Sequence, residues 1–252
     1  MNLLAFDTGT EMMSIAVCRT VDGQVQLWQH SAAGGAKAST DLIPAILALL
    51  QQAGLRLDAL DAICFGSGPG SFTGLRTACS VAQGLAFGAR LPVLAVDSLL
   101  AVAEEARHQA LGGQPSGAVT AVLDARMDEM YGATYGFDAG QWSELTGSVL
   151  VKPEELLRVA LSGPPAPWVL AGNVFAVYGD RVAQQDPAAA TALRITALPT
   201  AAAMLRLAPQ LLAAGKAVAA EHALPSYIRD KVAKTTAERM AEKAAAQAAA
   251  SH

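Results

Sequence analysis

The chain has 252 residues, 52% of them hydrophobic and 16% charged, with a formal net charge of −4. Such a length supplies one large domain or two lobes, and the apolar content an ample core. The acidic balance excludes a free-standing nucleic-acid binder, which needs a basic surface for phosphates, but not a subunit of an assembly that handles RNA.

The first apolar run, Leu3 to Phe6, reads as a buried strand ending in Asp7-Thr8-Gly9-Thr10. Met13 to Cys18 and Val25 to Gln29 follow as strands joined by a turn at Asp22-Gly23, completing an antiparallel meander. Ser31 to Ser39 is small, glycine-rich and loop-like. A helix is expected from Asp41 to Ala53, with Asp41 as N-cap, Pro44 in the donor-free first turn and Gly54 as the stop. A strand at Ala62–Phe65 enters the glycine loop 66–70, and a helix capped by Ser71 or Thr73 covers Phe72–Ala89. A strand at Pro92–Val96 and a helix at Ser98–Leu111 close a β-β-β-α-β-α-β-α lobe. Gly112 to Gly117 marks the lobe boundary. Beyond it come strands at Ala118–Asp124, Met130–Phe137 and Val149–Val151, then a helix from Pro153 to Leu161. Pro164-Pro165-Ala166-Pro167 reads as a rigid spacer, Trp168–Ala171 as a strand ending at Gly172, and Thr200–Ala214 as a helix. The expected organisation is an N-terminal lobe over 1–111, a second lobe over 118–214, and a C-terminal segment over 215–252 whose last fifteen residues form a frayed helix or disordered tail.

Cys18, Cys64 and Cys79 sit in apolar or helical contexts without paired spacing and read as reduced core residues of a cytosolic protein. The N-terminus has no basic region and meets Asp7 at once, so no signal peptide is expected. No apolar run reaches the ~20 residues of a membrane span. The four histidines, His30, His108, His222 and His252, are not paired at helical spacing, no Cys-x-x-Cys occurs, and no nucleophile elbow is present.

Strand, glycine loop and helix N-terminus together form the arrangement that presents backbone N–H groups to an anion. The loop Gly66-Ser67-Gly68-Pro69-Gly70 lacks the lysine a P-loop needs. The plainer reading is that its glycines permit positive φ and close helix–strand packing. Asp7-Thr8-Gly9 ends a strand, as a catalytic aspartate turn of an aspartic protease does. That enzyme needs a second such aspartate, which is absent, and few helices. The turn fits better the first phosphate turn of the actin, heat-shock-chaperone and sugar-kinase fold, in which Asp7, Thr8, Gly9 and Thr10 would be a vestigial site or a purely structural feature. Asp124 and Arg126 lie between two strands, either at the cleft between lobes or in a solvated hairpin turn.

Two helices carry a further signal. Leu42, Ile43, Ile46 and Leu50, with their apolar neighbours, cover nearly every direction around the first helix, so it must be buried on more than one side. On the second, Ser80, Gly84 and Gly88 share one face. Glycine inside a helix costs ~1 kcal/mol relative to alanine, which a close backbone contact can offset. That contact is either the protein's own core or another chain. With Leu75, these residues form a candidate partner face that would pack two helices against two equivalent ones.

LAFDTGTEMMSIAV, GSGPGSFTGLRTACSVAQGLAFG, LDARMDEMYGATY and LPSYIRD, in this order, resemble the bacterial TsaB (YeaZ) family, related to the Gcp-like TsaD family, over Asn2 to about Lys234. The GPGSFTGLR segment with its helix is the specific part. One departure is Ala38-Ser39-Thr40, where family members commonly carry His-Ser-Glu. The resemblance implies a two-lobed α/β fold of the actin-like ASKHA class that has lost catalysis. It implies a TsaD-type catalytic partner and a TsaE-type ATPase. Together these transfer a threonylcarbamoyl group to the adenosine beside the anticodon of tRNAs reading codons that begin with A. ATP and metal would belong to the partners, with no cofactor of the chain's own, and tRNA would be met only within the complex. Monomer or homodimer is left open. The basic residues Arg229, Lys231 and Lys234 are candidates for touching tRNA or a partner. A stand-alone ATP-dependent transferase or kinase of the same fold is the competing reading.

Overall fold

The computed structural model describes residues 1–159, 167–185 and 192–228. Its framework is two five-stranded sheets. The first holds β1 (Asn2–Asp7), β2 (Met12–Val21), β3 (Gln24–Ala33), β4 (Ala62–Gly68) and β5 (Val93–Asp97) in the order β3-β2-β1-β4-β5. The second holds β6 (Ser116–Arg126), β7 (Glu129–Asp138), β8 (Gln141–Val151), β9 (Trp168–Gly172) and β10 (Leu193–Thr196) in the order β8-β7-β6-β9-β10. In each sheet a three-strand antiparallel meander begins on the central strand, and two parallel strands extend its other side. Two sheets of one topology in one chain are the two-lobed actin-like architecture.

Helices α1 (Ala38–Gln52), α2 (Phe72–Ala89), α3 (Ser98–Ala110), α4 (Phe175–Gln185) and α5 (Ala201–Ala213) cover the sheets. The central strands of the first sheet are apolar on both faces because helices lie on both. Leu4, Phe6, Ile15, Val17, Ile63 and Phe65 point to α1 and α2. The smaller Ala5, Ala16 and Cys64 point to α5, whose Ala201, Ala203 and Ala208 pack closely on them. Thus α5, which the sequence boundaries assign to the second lobe, lies on the first sheet. Conversely α3, the last helix of the N-terminal segment, packs Leu99, Val102 and Ala106 against Val119, Ala121 and Leu123 of the second sheet.

Several expected boundaries move. The first helix starts at Ala38 after a 3-10 turn over Gly35–Lys37, so Asp41 sits inside its first turn and does not cap it. Pro44 lies within the helix, on its exposed side. The loop expected at Ser31–Ser39 is instead the end of β3, this turn and the start of α1. Asp22-Gly23 forms the two-residue hairpin with positive φ at both positions, the twist that suits adjacent strands. Strand β8 begins at Gln141, well before Val149. The segment after Pro153 is a 3-10 helix to Arg158. The α4 helix and β10 strand have no counterpart in the sequence reading. The spacer 164–166, the basic residues Arg229, Lys231 and Lys234, and the C-terminal tail lie outside the described residues. All three cysteines are buried and unbridged. No described helix is long and apolar enough to cross a membrane.

Candidate functional site: an enclosed turn and an exposed helix face

The turn after β1 is closed by the chain itself. Asp7 and Thr8 are buried. Asp7 Oδ1 accepts from Gly9 N at 2.7 Å, and Oδ2 accepts from Ser98 Oγ, at the start of α3, at 3.3 Å. Burial pushes the Asp7 carboxyl up to about 6, against the pull of the Gly9 N–H and the Ser98 hydroxyl. Thr8 Oγ1 donates to Gly74 O at 2.7 Å, and Ser71 N donates to Gly9 O at 2.7 Å. Helix α2 is therefore sewn onto the turn by its first residues. Gly66 and Gly74 make this approach feasible. A Cβ on Gly66 would overlap the Asp7 carboxylate, and one on Gly74 would overlap the Thr8 carbonyl. The glycine loop thus serves close packing. Ser71, one of the two expected caps, accepts from Gly74 N at 3.1 Å.

Between the lobes remains an open cleft of about 390 Å³ that Thr10, Glu11, Ser71, Asp124, Arg126 and Asn173 help to line. Asn173 spans it, donating to Glu11 at 3.1 Å and accepting from Asp124 N at 2.9 Å. Asp124 Oδ2 pairs with Arg126 Nη1 at 3.3 Å. Asp124 and Arg126 are thus both in a hairpin and at the cleft wall. Arg126 is matched by Asp124, and Glu11 adds a further carboxylate, so this lining offers a phosphate no net positive charge. Among the described residues no cluster of three or more His, Cys, Asp or Glu is arranged to hold a metal ion.

The second feature is the outer face of α1 and α2. Leu42 and Ile46 of α1 and Leu75 of α2 are fully buried in the chain's own core and cannot face a partner, while Leu50, almost as buried, borders a surface groove with Leu47 and Gly88. Their places on the surface are taken by other residues. Ile43, 41% exposed, and Leu47, 53% exposed, lie on the outer side of α1. On α2, Ser80, Gly84 and Gly88 are exposed beside Phe87, which is 77% exposed. A Cβ on Gly84 or Gly88 would meet nothing within 4 Å, so neither glycine answers to a contact inside the lobe. The apolar character of α1 is real, but the helix divides it between a core stripe and an outward one. Leu47 counts among the apolar residues of the first helix but not in the partner face expected from the sequence, and Phe87 is in neither. The i, i+3/i+4 spacing of Ile43 with Leu47, and of Gly84 with Phe87 and Gly88, was the available signal.

Most of the chain matches known proteins. A family model described as TsaD: tRNA N6-adenosine threonylcarbamoyltransferase aligns with residues 30–237. The tRNA threonylcarbamoyladenosine biosynthesis protein TsaB of Escherichia coli K12 is 35% identical over 92% of this chain and 96% of its own. The chain belongs to the TsaB family. The TsaB of Haemophilus influenzae is 36% identical over 63% of this chain and 67% of its own. Among solved structures, YeaZ from Pseudomonas aeruginosa superposes with a TM-score of 0.75 at 38% identity, covering 90% of this chain and 99% of that one. In this TsaB-family chain the Ala38-Ser39-Thr40 departure falls in the first turn of α1, where Ala38 is buried under the first core.

The LPSYIRD motif acquires a structural role as well. Residues 216–228 form a strap that starts on the free edge of β5, where Val218 and Val93 exchange backbone hydrogen bonds at 2.8 and 2.9 Å. It then follows α2, whose Gln83 Nε2 donates to Ala223 O at 2.9 Å. Ser226 N donates to Ser67 O near the end of β4, where the sequence reading places the glycine loop, at 2.7 Å. Tyr227 packs on Phe72, ring centroids 5.3 Å apart, and its hydroxyl accepts from Arg76 Nε at 3.1 Å. Ile228 reaches the core of the second sheet.

Proposed function

We propose that this chain is a non-catalytic subunit of the assembly that attaches a threonylcarbamoyl group to the adenosine beside the tRNA anticodon. Family membership supports the role in tRNA threonylcarbamoyladenosine biosynthesis, the process for which its relatives are named. The observation that carries the non-catalytic part is the enclosure of Asp7. The carboxylate at the phosphate turn is wholly buried, engaged by Gly9 and Ser98, and backed by Gly66. It is out of reach of a nucleotide or metal, and the cleft outside it is lined by Glu11 and by an Asp124 already paired with Arg126. ATP and metal chemistry then fall to a TsaD-type catalytic subunit and a TsaE-type ATPase, and tRNA is met only within the complex.

The docking face in this reading is the ridge formed by Ile43, Leu47, Ser80, Gly84, Phe87 and Gly88. Small residues at 80, 84 and 88 let a partner helix come close, and Phe87 is a large side chain whose burial would reward contact. The partner is the TsaD-type subunit, and a second copy of this chain would use the same ridge when the partner is absent. The direct test reconstitutes tRNA modification from purified subunits. Omitting this chain is expected to abolish product, and full product without it would refute the proposal. Isolated protein is expected to turn over ATP at background rate. Metal-dependent turnover abolished by Asp7→Ala would favour a stand-alone transferase or kinase instead.

A further inference from the structure

On the side of the molecule away from the cleft turn, α3, α5 and β8 meet around one buried carboxylate. Glu104 of α3 is 1% exposed, yet four hydrogen bonds end on it. Its Oε2 accepts from Arg107 Nε at 2.8 Å and from Trp142 Nε1 at 3.0 Å. Its Oε1 accepts from Arg107 Nη2 at 3.0 Å and from Arg206 Nε at 2.7 Å. Burial alone would raise this carboxyl, but the Arg107 and Arg206 bonds outweigh it and hold the group below the usual carboxylate range. Arg206 also pairs with Glu105 at 2.7 Å, and Glu105 accepts from Thr200 Oγ1 at 2.7 Å.

The donors come from different bodies. Arg206 stands on α5, which packs on the first sheet, while Trp142 stands on β8, the edge strand of the second. The same two elements are tied again by a reciprocal pair: Trp142 N donates to Gln210 Oε1 and Gln210 Nε2 donates to Trp142 O, both at 3.0 Å. The Trp142 ring packs against the cores on both sides. Opening or closing the cleft requires one lobe to rotate against the other, with α5 sliding over α3 and β8. Because α3 and β8 both belong with the second sheet, any such motion pulls Arg206 from Glu104 and Gln210 from Trp142, and the buried Glu104 loses one of its two arginines.

We propose that the Glu104–Arg206–Trp142 cluster is a weld that fixes the angle between the lobes, so that the cleft does not open and close. The other contacts across the lobes are weaker candidates. The Asn173–Glu11 bond is exposed, and the bond from the Tyr135 hydroxyl to Asp97 involves one neutral donor. This inference concerns lobe motion and stands whether or not the chain serves tRNA modification.

The test places spin labels on the full-length protein at Gln26→Cys in β3 and Val149→Cys in β8, both exposed and neither a member of the cluster; the native cysteines are buried. Pulsed dipolar spectroscopy then gives the distribution of inter-lobe distances. A single narrow distribution is expected for the otherwise wild-type chain, and a distribution at least ~twofold wider for Glu104→Gln, because the freed lobes sample more than one angle. Arg206→Gln removes the charged donor that α5 sends across to Glu104, and it carries the test if Glu104→Gln does not fold. It too is expected to broaden the distribution. A wild-type distribution that is already broad or two-peaked overturns the proposal. So does a folded Glu104→Gln, or in its absence a folded Arg206→Gln, as narrow as wild type.

Discussion

Helix α2 permits one chemical change to be tested at two places with opposite outcomes. At Gly84, alanine enters open space on an exposed face, with nothing within 4 Å of the new carbon. The helix gains the propensity difference, ~1 kcal/mol. At Gly74 the same methyl group would lie 2.8 Å from Ser71 Oγ and from the Thr8 carbonyl carbon, and closer still to the carbonyl oxygen. That obstacle is backbone and cannot swing away. Relief requires α2 to lift from the turn, which breaks Thr8 Oγ1–Gly74 O and Ser71 N–Gly9 O. Two hydrogen bonds at about 1 kcal/mol each and overpacking of 1–3 kcal/mol exceed the propensity gain, for a net loss of roughly 3 kcal/mol. The two alanine variants should therefore differ by about 4 kcal/mol. At ~2–4 °C per kcal/mol for a chain of this size, Gly84→Ala should melt a few degrees above wild type and Gly74→Ala about 10 °C below it. Scanning calorimetry of the three proteins decides the matter. A Gly74→Ala protein as stable as wild type would refute the account of how the turn is enclosed. A Gly84→Ala protein that loses stability would mean that Gly84 is packed inside the lobe.

The enclosed carboxylate carries a pH signature. Because the folded Asp7 carboxyl sits at about 6 and the free group at 3.8, the folded state holds the proton between those values. Asp7 therefore favours folding fully below pH ~4, and that contribution of roughly 3 kcal/mol is lost as pH rises through 6. Asp7→Asn, which retains an acceptor for Gly9, lacks the effect. Its stability relative to wild type should climb between pH 4 and 8 in urea titrations, and a constant difference would count against a buried, proton-holding Asp7. The strap makes its own claim. Ser226→Pro deletes the N–H that serves Ser67 O, so about 1–3 kcal/mol should be lost. An unchanged urea midpoint would show that the strap adds nothing to the fold.

How far the sequence carried depended on where each element lies. Phe72–Ala89 was readable to the residue, because Ser71, one of two candidate caps, marks its start and the strand beginning at Pro92 bounds its end; the left-handed turn at Arg90 that closes it has no signal in the sequence. The central strands β1, β4 and β6 were readable as apolar runs because both their faces are covered. Edge strand β8 was largely missed. Its exposed residues, from Gln141 to Val149, are mixed in character and bury little. The start of α1 was misplaced because Asp41 and Pro44 together imitate a helix entrance. The true entrance is a 3-10 turn, and the proline on the exposed side gives up a helical bond. The exchange of α3 and α5 between lobes is invisible in a linear pattern, since an amphipathic helix does not name the sheet it covers. The same limit governed the interface residues. Periodicity showed that α1 had too many apolar side chains for one face, but not which of them would be core. Periodicity alone therefore groups the core residues Leu42 and Ile46 with the outward Ile43 and does not single out Leu47. The closed state of the Asp7 turn was legible only in part: the glycines announced a close approach, but what approached, the chain's own carboxylate and carbonyl, required coordinates.

The central claim is that the α1–α2 ridge holds the catalytic partner, and Gly84→Arg tests it most directly. The site is open in the free chain, so the variant should fold and melt no lower than wild type. In the complex the guanidinium would be forced between closely packed helices without a counter-charge, which costs several kcal/mol, and each ~1.4 kcal/mol is tenfold in affinity. The measurement is a calorimetric titration of the TsaD-type subunit into wild-type and variant protein. The account predicts a folded Gly84→Arg chain whose affinity for the partner falls by ~100-fold or more. A folded Gly84→Arg chain that binds as tightly as wild type would contradict it.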